Sequence, residues 1–206
     1  AEEEKQETLA NSRQLTLSLL YWLQTEVGAK GLHMAPDILG TSDGFAQAPY
    51  IRESRRAITV TRLTEQDVAA KLNPGLKRTP SRSDGVCVGS YRLDLHPRIN
   101  GDPTLDLSSL PYQIPLGCFV PVRITNLAPA CKNIGVTHIV NGCTRLHPVE
   151  WCIGEVAGLL AAQCVRLGST PQQIEASGTE TEGFRQMLAA RGVEVDWPEG
   201  AELRAL

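Results

Sequence analysis

The stretch "NGCTRLHPVEWCIGEVAGLLAAQ", Asn141 to Gln163, decides how the chain is read. From Val149 onward it is rich in good helix formers, and Pro148 suits a first helical turn, where its fixed φ is pre-organised and its missing N–H is not needed. The lead-in holds Asn141, Gly142, Thr144, Arg145 and His147, polar and flexible groups with two potential cations. No Ser, Thr, Asp or Asn stands directly before Pro148 as a cap, so the free N–H groups at this end are expected to serve something other than a side chain. Gly154 and Gly158, four apart, put two missing side chains on one helical face, where a backbone or a flat ligand could come close.

A chain of 206 residues with 42% hydrophobic content can bury a real core, as one large domain or two small ones. A net charge of −3 and a pI near 5.8 argue against a nucleic-acid partner, which calls for a basic face. No apolar run approaches the roughly 18–20 residues of a membrane span, and the acidic start at Ala1 has no signal-peptide pattern. A cytoplasmic protein is therefore expected. Six cysteines, Cys87, Cys118, Cys131, Cys143, Cys152 and Cys164, form no C-x-x-C pair and read as mostly buried free thiols in a reducing compartment. His138, Cys143, His147 and Cys152 are all zinc-ligating types, but structural zinc sites usually take two tightly spaced pairs, and Cys152 belongs to a helix that must also bury its apolar face. No metal site is expected.

Four parts follow in order. Residues 1–30 carry Leu9, Leu15, Leu19, Leu20, Trp22 and Leu23 near a helical period, which predicts an amphipathic helix packed on another element and stopped at Gly28 and Gly31. Residues 31–127 contain a probable strand, Ala57 to Leu63, then a short helix opened by Thr64 with Asp67 three residues on, a capping box with Asp in place of Glu. Alternating and Pro-interrupted extended pieces come next, "DGVCVGSYRLDLHP" and "PYQIPLGCFVPV". Residues 128–168 hold all but the first two residues of "NLAPACKNIGVTH", and the opening stretch. Residues 169–206 form a helical tail, with Ser169 or Thr170 starting one short helix and "TETEGFRQMLAARG" another, ended by Gly192. Arg52, Glu53, Arg55 and Arg56 crowd the mouth of the predicted strand, where guanidinium forks could clamp a carboxylate; a solvated charged edge is the plain alternative. Asp94 and His96, two apart, would share one face of a strand.

"APYIRESRR", "VGSYRLDLHP", "YQIPLGCFVPV", "NLAPACKNIGVTH" and "NGCTRLHPVEWCIGEVAGLLAA" together resemble the C-terminal half of FAD-dependent oxidoreductases related to the glutathione-reductase-type flavoproteins. The resemblance implies an α/β two-domain flavoprotein, of which this chain, α+β as it stands, would be the C-terminal part, with a mixed or antiparallel substrate-side sheet and a cofactor-facing helix. In such flavoproteins that helix aims its front at the pyrimidine edge of the isoalloxazine, and the preceding strand and loop pack along the cofactor. Carried onto this sequence, the FAD-facing residues are Asn133, Gly135, Asn141, Arg145, His147, Val149 and Glu150.

The physics agrees with that implication. Reduced flavin is commonly an anion with charge at the pyrimidine edge, and a helix start stabilises an anion by ~0.3–1 kcal/mol, up to ~2 when partly buried. Val149, Glu150 and Trp151 are the expected backbone donors, with Arg145 or His147 as an added cation. Arg52 and Arg55 are expected to anchor an anionic small-molecule substrate, and His96 to serve as acid or base. One departure stands out: no G-x-G-x-x-G turn, which would hold the ADP half of FAD, occurs in the sequence. The expected partner is thus an N-terminal FAD-binding half, on the same parent chain or a separate subunit. A docking module that kept the fold and lost the cofactor is the alternative.

Overall fold

The computed structural model describes residues 2–53, 55–98 and 101–202, so the last four residues of the predicted tail lie outside the described residues. The chain divides into two compact units, Ala1–Ile51 and Arg52–Leu206.

The first unit is dominated by α1, Glu2–Thr25, whose first turn carries Glu2, Glu3 and Glu4 against the positive end of the helix dipole. A single short turn follows as α2, Pro36–Leu39, closed by Gly40 at φ 66°. Arg13 lies 3.2 Å from Asp43 and stacks over the Phe45 ring. Within this unit the predicted inward packing of α1 is not found. None of its residues is buried, and Leu15 is 72% and Trp22 50% exposed. The apolar spacing aligns these side chains, but a unit made otherwise of one helical turn and loops has no surface broad enough to cover them.

The second unit opens on an extended segment, residues 57–63. It is not a continuous strand as predicted but a strap with single bridges, Thr59 to Pro121 and Leu63 to Val136. The Ala57 N–H donates to the Asn133 carbonyl at 2.8 Å, and that of Leu63 to the Gly135 carbonyl at 3.0 Å. Two glycines let the strap lie this close. A Cβ on Gly117 would strike Thr61, and one on Gly135 would strike Thr59 and the Thr61 carbonyl. α3, Glu65–Val68, follows at Thr64, whose N–H and Oγ1 both donate to the Asp67 carboxylate at 2.8 Å. The predicted cap is therefore built with Asp.

Four short strands come next: β1 (Gly85–Gly89), β2 (Leu93–Leu95), β3 (Leu105–Leu107) and β4 (Tyr112–Pro115). β1 pairs with β4 and β2 with β3, both antiparallel, so the predicted substrate-side sheet is two separate ladders. Prolines at 111, 115 and 121 withhold backbone donors and keep the pieces short. The fold is α+β.

The chain then enters α4 (His138–Thr144) and α5 (His147–Leu167), followed by α6 (Pro171–Ala176) and α7 (Gly178–Ala190). α5 buries Val149, Ile153, Val156, Ala157 and Leu160, spaced to form one apolar stripe, in a core with Leu93, Tyr112, Ile114, Phe119 and Phe184. Thr170 caps α6, accepting from the Gln173 N–H, and Gly192 at φ 86° follows α7. The face predicted for close approach is only half used. A Cβ on Gly154 would sit 3.5 Å from the Ala130 carbonyl, and one on Gly158 meets nothing within 4 Å. Gly158→Ala is therefore expected to raise stability by about 0.5–1 kcal/mol, the usual gain at an open helical position, measurable by denaturant unfolding.

Candidate functional site

The junction of α4 and α5 positions the polar residues of the opening stretch. Thr137 caps α4, accepting from the Val140 N–H at 3.2 Å, and its hydroxyl donates to Glu65 at 2.9 Å, which fixes the helix start against α3. Gly142 lets β2 lie directly on α4: a Cβ there would come within 2.9 Å of the Asp94 backbone. Arg145, at the C-cap of α4, is thereby trapped. It is 6% exposed, with Nη2 donating to the Asp94 carbonyl at 3.0 Å. Nε stands 3.2 Å from Glu53 Oε1, an ion contact out of line for a hydrogen bond, and Nη2 stands 3.6 Å from Asp94 Oδ2. One buried guanidinium thus joins Glu53, β2 and the α4–α5 junction.

Around this pair the charges continue. His96, just past β2, places Nε2 at 3.6 Å from Asp94 Oδ2. His138, the first residue of α4, is half-buried, and its pKa is lowered from the ordinary histidine value, first by burial and then by the nearby cations Arg98 and Arg56, with Glu53 and Asp102 opposing. A neutral imidazole among guanidinium groups can accept a proton. The same shift has a stability consequence. Because the folded pKa lies below about 6.5, the unfolded chain binds more protons as pH falls from about 7 into the range below that value, so stability drops over that window. Thermal melts at pH 7 and below 6 are expected to show this fall, and His138→Gln is expected to reduce it.

The remaining predicted site residues are distributed as follows. Arg52 and Arg55 are exposed on either side of Glu53. Asn133 is exposed, its Oδ1 accepting from the Cys131 N–H at 3.2 Å. Gly135 is wholly engaged in packing, its N–H donating to Cys118 and its carbonyl accepting from Leu63. His147 is exposed at the first position of α5. The helix begins one residue before Pro148, which changes the expected donor set. The Glu150 N–H donates to the Leu146 carbonyl at 2.8 Å, and by the same pattern that of Trp151 serves His147. The N–H groups of His147 and Val149 are left without a helical acceptor, and among the described residues no side chain caps them. The Glu150 carboxylate lies 3.9 Å from Lys132 Nζ.

Asn141 is fully buried and half satisfied. Its Nδ2 donates to the Lys132 carbonyl at 2.7 Å, which fixes the amide orientation, and its Oδ1 has no hydrogen-bond partner. A buried acceptor left open costs about 1–3 kcal/mol, a cost that a ligand donor would remove.

The model of the family described as FAD dependent oxidoreductase matches residues 1–188. The chain belongs to that family. Its function is flavin-linked oxidation and reduction, and FAD is the cofactor. No curated protein and no solved structure matches this oxidoreductase. By chemical type, some of its residues suit part of that cofactor: an isoalloxazine pyrimidine edge offers one N–H donor between carbonyl acceptors, while the buried Asn141 Oδ1 is an open acceptor and the His147 and Val149 N–H groups are donors without a helical acceptor. Among the described residues no helix of the oxidoreductase is long and apolar enough to cross a membrane, and no three His, Cys, Asp or Glu side chains are placed to hold a metal ion.

Sequence reasoning weighed His138 only as a zinc ligand and treated Glu53 as one of four crowded charges. The Thr137–His138 pair, a cap followed by an imidazole, was the available signal for the first. For Glu53 there was none, since its partner Arg145 is 92 residues on in the sequence.

Proposed function

We propose that this chain is the isoalloxazine- and substrate-facing part, corresponding to the C-terminal half, of a glutathione-reductase-type FAD-dependent oxidoreductase that transfers hydride between an organic substrate and flavin. The observation that carries the reading is the meeting of three of the five resemblance-bearing segments at Arg145, through Glu53 and Asp94. FAD, when bound, supplies the two-electron acceptor or donor.

The chain's own residues do the rest. Asn141 and the first turn of α5 hold and orient the pyrimidine edge, and the partial positive charge there favours a negative one. Arg145 fixes the relative placement of α4, β2 and Glu53. Arg52 and Arg55, exposed beside Glu53, give an anionic substrate its charge partners, and His96 or neutral His138 takes or returns a proton at the substrate. The ADP half of FAD is held by a dinucleotide-binding partner, on the same parent chain or a separate subunit, because these 206 residues contain no G-x-G-x-x-G turn.

Purification of the chain with its dinucleotide-binding partner tests this. A yellow complex holding about one FAD per chain is the expected result, with activity lost in Arg52→Ala or His138→Gln. A colourless, intact complex that refuses added FAD would fit the docking-module alternative instead.

A further inference from the structure

A cleft of about 320 Å³ runs along the flank of α5, a size within the range of small-molecule sites. Two elements each bring it one indole and one carboxylate. α5 contributes Trp151 and Glu155, about one helical turn apart on the same side of the helix, and the tail after α7 contributes Glu194 and Trp197. The rest of the lining is uncharged, with the end of β1 at Val88 and Gly89 and the side chains of Val149 and Val193. No Lys, Arg or His among the described residues lines the cleft, so the two carboxylates meet no cation there. The cleft borders the front of α5 at Pro148 and Val149 but is distinct from the charged cluster, since neither Asn141, Arg145 nor His147 lines it.

The tail side is tied down by β4. Trp197 Nε1 donates to the Tyr112 carbonyl at 3.0 Å, and the Val195 carbonyl accepts from Gln113 Nε2 at 2.6 Å. With its N–H committed, the Trp197 indole has its π face and ring edges to offer a ligand. Trp151 is 80% exposed, so its indole is open to whatever enters.

We propose that this cleft binds a small organic cation, an alkylated ammonium group, between the indoles of Trp151 and Trp197 and the carboxylates of Glu155 and Glu194. The negative face of an indole attracts such a cation, and methyl groups on the nitrogen pack against the ring without needing hydrogen-bond acceptors. The two glutamates add long-range attraction and repel anions. A metal ion is a poorer occupant: it calls for more oxygen ligands than two carboxylates supply, and among the described residues no three His, Cys, Asp or Glu side chains are placed to hold one. A neutral apolar ligand would use the indoles but gain nothing from the charges.

The experiment titrates the full chain with choline and with its uncharged carbon isostere, 3,3-dimethylbutan-1-ol, by calorimetry at low ionic strength. Tryptophan fluorescence of Trp22→Phe, which leaves Trp151 and Trp197 as the indoles, reports where each binds. The expected result is saturable choline binding that perturbs this fluorescence, about tenfold tighter than that of the isostere. Trp151→Ala and Glu155→Gln, both at exposed positions and so without cost to the core, are each expected to weaken choline about three- to tenfold. Added sodium chloride should weaken it further without abolishing it. Equal affinity for the isostere would make this an apolar groove only, and binding indifferent to Trp151→Ala would make it an acidic patch only. Either result, a failure of choline to bind saturably, or sedimentation showing that a second copy covers Trp151, overturns the proposal. Neither the ligand nor the readout involves FAD, so the outcome is separate from that of the flavin reading.

Discussion

Replacing Arg145 with Met is expected to lower stability by about 3–5 kcal/mol, the usual cost of breaking a buried ion pair from one side. The side chain is 7% exposed and that of Glu53 14%, so solvent screens this contact little. Its contact to Asp94, 30% exposed, is longer and wetter and contributes less. What the substitution leaves behind decides the size: a Glu53 carboxylate with its cation gone and an Asp94 carbonyl without its donor. At about 2–4 °C per kcal/mol for a chain of this length, the melting temperature should fall by roughly 6–20 °C. Arg145→Lys should recover only part of this, because an ammonium cannot reach the Asp94 carbonyl and Glu53 in the fork geometry of a guanidinium. Adding Glu53→Gln to Arg145→Met removes the stranded charge and should restore part of the loss, a coupling that a double-mutant cycle reads directly. A melting temperature unchanged within a degree or two would mean the pair does not hold the junction together.

Gly142→Ala is the second large effect. The added methyl would sit 2.9–3.2 Å from three backbone atoms of Asp94, and backbone cannot rotate aside as a side chain can. Up to about 3 kcal/mol of strain is expected, against the roughly 1 kcal/mol that Ala gains over Gly inside a helix, which leaves a net loss of up to about 2 kcal/mol. The net change is destabilising, opposite in sign to Gly158→Ala in the adjoining helix. The same shift would push β2 away from α4 and lengthen the Arg145–Asp94 hydrogen bond, so catalytic activity of the assembled enzyme should fall by more than stability alone requires. Denaturant unfolding and steady-state kinetics on the same preparation separate the two.

The legible parts of the molecule were those written locally. Thr64 with Asp67, and Ser169 or Thr170 before Pro171, announced α3 and α6 because each cap is satisfied within three residues, and Pro148 announced α5 because its fixed φ suits a first helical turn. The alternation around Val86 and Val88 foretold β1 for the same reason. Non-local features were not legible. Residues 57–63 have strand composition, yet their pairing is set by Pro121 on one side and Val136 on the other, and by glycines at 117 and 135 that no local pattern ties to Thr59 and Thr61. α1 shows the converse: its apolar period is clear, but whether a stripe is covered depends on surface elsewhere. For the candidate site, the sequence singled out Asn141, Arg145 and His147 around the start of α5, whereas the pairing of Arg145 with Glu53 and Asp94 arises from tertiary packing across 92 and 51 residues.

The central claim is that the junction of α4 and α5 faces the flavin. Amide chemical-shift mapping of the ¹⁵N-labelled full chain during titration with FAD measures this most directly, since even weak binding moves the resonances it touches. The account predicts saturable shifts centred on the backbone amides of His147 and Val149 and the side-chain amide of Asn141. Saturable shifts that leave those three groups untouched would contradict it.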